Sequence, residues 1–363
     1  MKLPITVLIY TFNEEKNIKR CLENVTDICE EIVIVDSFST DKTVDIAKNF
    51  TPKIYKNHFE SHSRQLQWAL DNTNITTEWI LKIDADEVLA DSLKKELIEN
   101  LNNTSKEINA FYINRRLYFL GRWIRFGANY PAWAMRLWRN GKITIENRWL
   151  DDHVTLKSGK YSFLQNDMSD FDMKDITRWT TKHNNNASKE AIDLLNFKYK
   201  LYESTSLKTN FLGTQVQKKR WIKDNLYCYT PLFLRSFIYF IWRYFFMLGF
   251  LDGKEGLIWH FLQGFWFRFL ADVKVFEVEK KAKLENKSIK DDYVPDCLLN
   301  FNPLVQSLDT FYTGEGGEGI LGFYMFRYKT SWCPNKKDSH DSKSCIYAHH
   351  TRDFRRPPDI FKY

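Results

Sequence analysis

Residues 79–87 read Trp79-Ile80-Leu81-Lys82-Ile83-Asp84-Ala85-Asp86-Glu87, a short apolar run that closes on two carboxylates spaced two apart. If Ile80 to Ile83 form a buried strand, alternation turns Asp84 and Asp86 toward one face at its carboxyl end. Such a pair suits a hard divalent cation, Mg²⁺ or Mn²⁺, which takes one or two protein oxygens and completes its shell with substrate phosphates and water. Asp-x-Asp also occurs in ordinary turns and helix caps, so the surrounding chain decides its meaning.

Toward the N-terminus, Leu3 to Tyr10 is a continuous apolar run with β-branched residues, as a strand buried on both faces requires. Thr11-Phe12-Asn13-Glu14-Glu15 follows, then a helix from Lys16 to Val25 with Ile18, Leu22 and Val25 at helical spacing. Glu31 to Val35 is a second strand ending in Asp36-Ser37-Phe38-Ser39-Thr40-Asp41-Lys42-Thr43, and helices are expected from Thr43 to Phe50 and from Ser61 to Asn72. This alternation predicts a parallel sheet with helices on both faces and ligands at the carboxyl ends of the strands. Asp41 precedes a helix and reads as its cap; Asp36, at the last position of a strand, does not.

The motifs TFNEE, VDSFSTDKT and DADE, in this order and spacing, resemble the inverting family 2 glycosyltransferases, whose GT-A fold is an α/β, Rossmann-like nucleotide-sugar-binding domain. The resemblance implies that Thr11, Glu14 and Asp36 hold the base and ribose, that Arg64 lies near the donor, and that Asp84 and Asp86 bracket the ribose and the metal-bound diphosphate. A metal ion there would neutralise the leaving diphosphate as its bond to the sugar breaks.

Downstream, Ala110 to Arg116 and Met135 to Arg139 read as strands, and Asn140-Gly141 before Lys142 to Glu146 marks a hairpin. Next comes Arg148-Trp149-Leu150-Asp151-Asp152-His153-Val154. An inverting transferase needs a base beside the acceptor hydroxyl. The family carries it in a W-M-D-E-H motif, which places the role on Asp152, here an Asp where Glu is usual; a charged hairpin edge is the plainer reading. Lys182-His183-Asn184, with Glu190 and Ala191 beyond, resembles a family K-H-N and E-A pattern at the opening of a helix, where Lys182 and His183 would steady the diphosphate or the acceptor. A lone His makes a poor metal ligand.

Pro231 to Phe250 and Leu257 to Val275 are dense in aromatics yet contain Arg235, Arg243, His260 and Arg268. No uncharged run approaches the ~20 residues of a membrane span. Two amphipathic helices lying in a membrane interface are expected, their arginines snorkelling to lipid phosphate; the alternative is a buried helical hairpin. The turn Gly249-Phe250-Leu251-Asp252-Gly253 resembles this region of bacterial lipopolysaccharide-core and capsule-type members. In the tail, Cys333, His340, Cys345 and His349 are spaced C-x6-H-x4-C-x3-H. Two thiolates and two imidazoles suit tetrahedral zinc. The segment resembles the first finger of arginine-rich, plant-type CCCH proteins, with one extra residue in the first gap and His350 as an alternative to His349; the functional reading is a small zinc module with RNA as its partner, and the plainer one is an unstructured tail with chance Cys and His.

The chain of 363 residues, 44% hydrophobic, is long enough for one large domain and smaller additions. Its net charge of +7 suits anionic lipid, nucleotide phosphate or nucleic acid alike. Six sparse cysteines and an N-terminus without a long apolar core favour a cytosol-facing location, peripheral on the cytoplasmic face of a membrane. The expected organisation is a catalytic domain over 1–215, an aromatic-rich interface region over 216–285, a linker over 286–320 and a zinc module over 321–363. The expected activity is metal-dependent transfer of a sugar, from UDP first of all, to a glycan or lipid-linked acceptor. An RNA-binding protein built on a degenerate transferase scaffold is the alternative, and the intact DADE motif speaks against it.

Overall fold

A computed structural model describes residues 2–59, 61–146, 153–201, 218, 221–223, 225–284, 286 and 288–289. The first apolar run forms β1 (Leu3–Thr11), which pairs in parallel with β2 (Cys29–Asp36) on one edge and β4 (Trp79–Asp84) on the other. Helices cover both faces, and this is why the three strands are apolar throughout rather than alternating. Ile18, Leu22 and Val25 of α1 (Ile18–Val25), with Leu93 and Leu97 of α4 (Asp91–Asn103), pack on one side. Leu66 and Ala69 of α3 (His62–Asn72) pack on the other against Leu8, Val33 and Ile80. The second helix, α2 (Thr43–Ala47), ends three residues short of the expected Phe50.

The sheet is mixed rather than all parallel. Its order is β3-β2-β1-β4-β8-β6-β11-β5, with β3 (Ile54–Lys56), β5 (Glu87–Leu89), β6 (Ile108–Phe119), β8 (Trp133–Arg139) and β11 (Lys160–Phe171); β7 (Arg122–Trp123) pairs with β6. Strand β8 runs antiparallel between β4 and β6. The Asn140-Gly141 turn does close, with Lys142 N–H donating to the Arg139 carbonyl at 3.1 Å, but it makes no hairpin. Both edges of β8 are already taken, so β9 (Ile143–Glu146) pairs instead with β10 (His153–Leu156) in a separate two-stranded sheet.

After β11, Asp175 accepts the Arg178 N–H at 2.9 Å and caps α5 (Ile176–Tyr199). Lys182, His183 and Asn184 therefore lie within this helix rather than at its opening. Its Ala187, Ala191, Leu194 and Leu195 pack on Phe267, Ala271 and Val275 of α8 (Phe267–Leu284). Between them, α6 (Leu234–Ile241) continues as a π-helical turn over Trp242–Phe246, and α7 (Gly253–Trp259) continues likewise over His260–Trp266.

This helical layer grips the loop between β7 and β8. Asp252 accepts the N–H groups of Arg125 and Phe126 at 3.2 and 2.8 Å, and Arg243 donates to the Gly127 carbonyl at 2.6 Å and to Asn129. The buried His260 ring lies against Gly127, whose φ of +67° and lack of Cβ are both needed: a Cβ there would fall 2.0 Å from His260 Cε1.

The arginines of the layer correct the snorkelling expectation. Arg235 is 4% exposed and bonded to Asp272, Arg243 is 5% exposed, and Arg268 lies 4.0 Å from the centroid of the Tyr239 ring. Each has an internal partner and none reaches outward. The outward side is apolar instead, with Trp242 at 44% and Phe245 at 54% exposure, so the hairpin is buried on one face only, where Trp259, Phe267 and Ala271 pack inward. Trp266 packs inward against the α5–α8 cluster.

Candidate active site

Parallel pairing brings three loops to one sheet edge. Thr11 lies opposite Asp36 and Tyr10 opposite Asp84, so β1, β2 and β4 deliver Thr11, Asp36 and Asp84 side by side. Asp36 is fully buried and accepts the Thr11 hydroxyl at 2.8 Å, the Ser39 N–H at 2.9 Å and the Ser39 hydroxyl at 2.5 Å. The first and second loops are laced together: Asn13 N–H donates to Ser39 Oγ, Thr40 N–H to Asn13 Oδ1, and Glu14 N–H to Thr43 Oγ1. Asp41 accepts the Thr43 N–H at 2.9 Å, but the N-cap of α2 is Lys42, without a side-chain cap bond, so Asp41 stands one residue before the capping position expected of it. Arg64 is exposed in the first turn of α3.

Alternation holds through the end of β4. Asp84, Asp86 and Val88 are half-exposed, and Ala85, Glu87 and Leu89 are buried. Around them gather Glu14, Asp170 and Asp172, with Arg115, Arg136, Lys82, Lys174 and Lys182 as counter-charges. Arg136 Nη2 bridges Asp84 Oδ2 at 3.1 Å and Glu87 Oε1 at 2.7 Å, and the Asp84 N–H donates to Glu87 Oε2 at 2.8 Å. Glu87 and Asp170 are direct cross-strand neighbours, an arrangement that like charges make unfavourable. Arg115 offsets it, with its Nη1 3.7 Å from Glu87 and 3.4 Å from Asp170. Asn17 donates to both Glu14 and Asp172 at 2.9 Å, and Lys174 pairs with Glu14.

The carboxyls differ in charge state. Burial works against ionised Asp84, but Lys82, Arg136 and His62 outweigh it and hold the group well below the usual carboxylate range. Burial pushes Glu87 up to about 7 despite Arg136, and burial together with Asp86 pushes Asp170 up to about 8. Asp86 is raised by burial, with Lys182 opposing and Asp84 and Asp172 adding to the rise. Lys182, exposed on α5, is desolvated by its surroundings, yet Asp86, Glu14 and Asp172 keep it firmly protonated. His183 turns away: its Nδ1 donates to the Trp179 carbonyl at 2.8 Å, its ring stacks on Trp179 at 3.6 Å, and burial pulls it down to about 4.

Among the described residues of this cluster, Asp86 alone has a carboxylate with no hydrogen bond and no close ion pair, while its backbone carbonyl accepts the Phe171 N–H at 2.9 Å. A hard carboxylate oxygen with no hydrogen bond of its own fits Mg²⁺ or Mn²⁺. No group of three or more His, Cys, Asp or Glu side chains among the described residues is arranged to hold a metal ion by itself. Asp152, with Asp151, lies outside the described residues, as do Cys333, His340, Cys345 and His349.

Sequence reasoning passed over Glu87, Arg115, Arg136, Asp170 and Asp172. Asp170-Phe171-Asp172 repeats the Asp-x-Asp spacing at a strand end, and that signal was available. Arg115 and Arg136 carried none, since only the order of β8, β6 and β11 aims them at the carboxylates.

Two family models match parts of the chain. Residues 6–170 match Glycosyl transferase family 2, and residues 322–356 match the AtC3H23-like CCCH zinc finger. The lipopolysaccharide core biosynthesis glycosyltransferase LpsC of Rhizobium meliloti is 35% identical over 125 residues, which are 33% of this chain and 45% of that protein. The chain thus spans less than half the length of that relative. An uncharacterised glycosyltransferase of Rickettsia typhi is 26% identical over 313 residues, 81% of this chain and 93% of that protein. Glucosyl-3-phosphoglycerate synthase of Mycobacterium tuberculosis, solved with Mn²⁺, UDP and glucosyl-3-phosphoglycerate, is similar at 19% identity and a TM-score of 0.27 over 31% of this chain and 44% of that one. Over residues 6–170 the chain is thus similar to the family 2 glycosyltransferases.

Proposed function

We propose that the protein is an inverting, metal-dependent glycosyltransferase that moves a sugar from a nucleoside diphosphate, UDP being the first to test, to a hydroxyl of a membrane-associated glycan or lipid. The observation that carries this reading is Asp86, a carboxylate with no hydrogen bond or close ion pair among the described residues, at the carboxyl edge of the sheet, beside the ion-paired Asp84 and within the field of the cation Lys182. Thr11, Glu14 and Asp36 are assigned to the base and ribose of the donor, Arg64 to its vicinity, and Asp84 to the ribose. Asp86 would hold the Mg²⁺ or Mn²⁺, which when bound neutralises charge on the departing diphosphate. Lys182 is placed to meet the same diphosphate, and its firm protonation suits that role. Asp152 takes the proton of the acceptor hydroxyl.

The lipopolysaccharide-core name of the Rhizobium relative supports an acceptor at a membrane, and we place the protein on the cytoplasmic face. For residues 321–363 we propose zinc held by Cys333, His340, Cys345 and His349, with RNA as the partner; the match over 322–356 supports it. The test of the transferase reading is a screen of nucleotide sugars for Mn²⁺-dependent hydrolysis or transfer, followed by Asp86→Asn. Loss of a preorganised charge stabiliser lowers turnover by more than ~100-fold with the fold intact. Unchanged turnover of the variant at saturating Mn²⁺ would sink the assignment.

A further inference from the structure

The helical layer is amphipathic in the inverted sense. Along α6 and its π-helical continuation, Leu234, Phe237, Ile238, Ile241, Trp242, Phe245 and Phe246 recur at three- and four-residue steps, which is one stripe of a helix. Every one of them is 44–74% exposed. The opposite side of the same helix is polar and buried: Arg235 and Ser236 bond to Asp272, and Arg243 bonds to the Gly127 carbonyl. The stripe continues past the bend onto α7 and its π-helical continuation, where Leu257, Ile258 and Phe261 are 39–47% exposed. In water this leaves apolar area of the kind that marks an interaction surface.

We infer that this face docks into the hydrocarbon edge of a phospholipid bilayer, held by apolar insertion rather than by attraction to lipid charge. Three observations select lipid. The segments Leu234–Phe246 and Gly249–Leu284, bent by 71° from one another, together have the length and composition of membrane-embedded helix, although no single helix among the described residues is long and apolar enough to cross a membrane. A bent pair of this sort suits a wedge that enters one leaflet and returns. The arginines that would read anionic headgroups are already committed to Asp272, Gly127 and Asn129. The stripe itself holds only Leu, Ile, Phe and Trp, the large apolar side chains that insert among acyl chains. This deepens the membrane-surface reading above by stating which atoms make the contact and which do not.

The test needs no sugar chemistry, so its outcome is separate from that of the transferase assignment. The full chain is floated with vesicles of pure phosphatidylcholine, and with vesicles containing anionic lipid, at about 0.1 M and about 1 M salt, where screening lengths fall from roughly 10 to 3 Å. Binding to the neutral vesicles that persists at high salt is expected. Phe246→Glu, at a position 74% exposed, should keep the parent's melting temperature and lose at least about tenfold in vesicle partitioning. Ile241→Ser with Phe245→Ser should lose as much without adding charge. Binding only to anionic vesicles and only at low salt would overturn the proposal, as would no binding at all. A parent that sediments as an oligomer, and variants that become monomeric, would overturn it in favour of a second copy of the chain on this face.

Discussion

Arg136→Met removes the guanidinium that bridges Asp84 and Glu87 and keeps most of the aliphatic stem. Glu87 is 1% exposed, and taking one partner from a buried pair typically costs 3–5 kcal/mol. Arg115 remains 3.7 Å from Glu87 and Lys82 remains 3.6 Å from Asp84, so the low end, about 3 kcal/mol, is expected. The loss depends on pH. Burial raises Glu87 to about 7, above its unfolded value, so the stability it contributes is complete in acid and fades as pH rises through 7. Without Arg136 the ionised form is worse still, and about 3 kcal/mol corresponds to a further rise of roughly two pH units. Below pH 7 Glu87 is protonated in parent and variant alike, and only the loss at half-exposed Asp84 remains, about 1 kcal/mol after solvent screening. Urea unfolding followed by tryptophan fluorescence at pH 6 and pH 9, with unchanged slope as the check on comparable unfolded states, measures the difference. Equal losses at both pH values would refute the role given to Glu87, and no loss at either would show the bridge to be idle.

Asp152→Asn keeps the shape of the side chain and removes the proton acceptor, so turnover should fall while donor binding, measured by titration calorimetry, persists. If Asp151→Asn is the damaging change instead, the base sits one residue earlier. Metal analysis of the purified full chain should return about one zinc per chain, and Cys345→Ser should remove it, since a site lacking one of its two thiolates is not closed; zinc retained by the variant would move the site elsewhere. Deleting residues 310–363 should leave sugar transfer unchanged, because every side chain assigned to the chemistry precedes His183. Retained fold with lost transfer would make the tail part of the active site.

The local part of the site was readable because it follows from strand period and chain order. Three apolar runs, each ending in polar residues, can only meet at one edge once they pair in parallel, and Thr11, Asp36 and Asp84 do so. What resisted reading is non-local. Strand β8 lies between β4 and β6, and this insertion brings Arg136 to Asp84 across 52 residues of chain. The pairing of β11 with β5 likewise sets Asp170 opposite Glu87. The Asn140-Gly141 signal was correct for a turn and wrong for a hairpin, because a turn is local and a ladder requires a free edge.

The helical layer misled for the opposite reason, since its sequence pattern is clear and its polarity is reversed. An apolar helix carrying one Arg every eight residues, as at Arg235 and Arg243, reads as a greasy face with cations at its rim. Period alone cannot say which stripe faces the protein. The answer lies in elements far along the chain. Asp272 on α8 offers Arg235 a buried carboxylate, with the Phe233 N–H and the Ser236 hydroxyl completing its bonds. The loop after β7 offers Arg243 the Gly127 carbonyl and the Asn129 side chain. With both cations satisfied inside, desolvating them is no longer prohibitive, and the aromatic stripe is left as the outer surface. The same bonds tie that surface to residues 125–129, a loop leading into β8, and β8 carries Arg136. The apolar face and the carboxylate cluster are thus joined through one short run of chain.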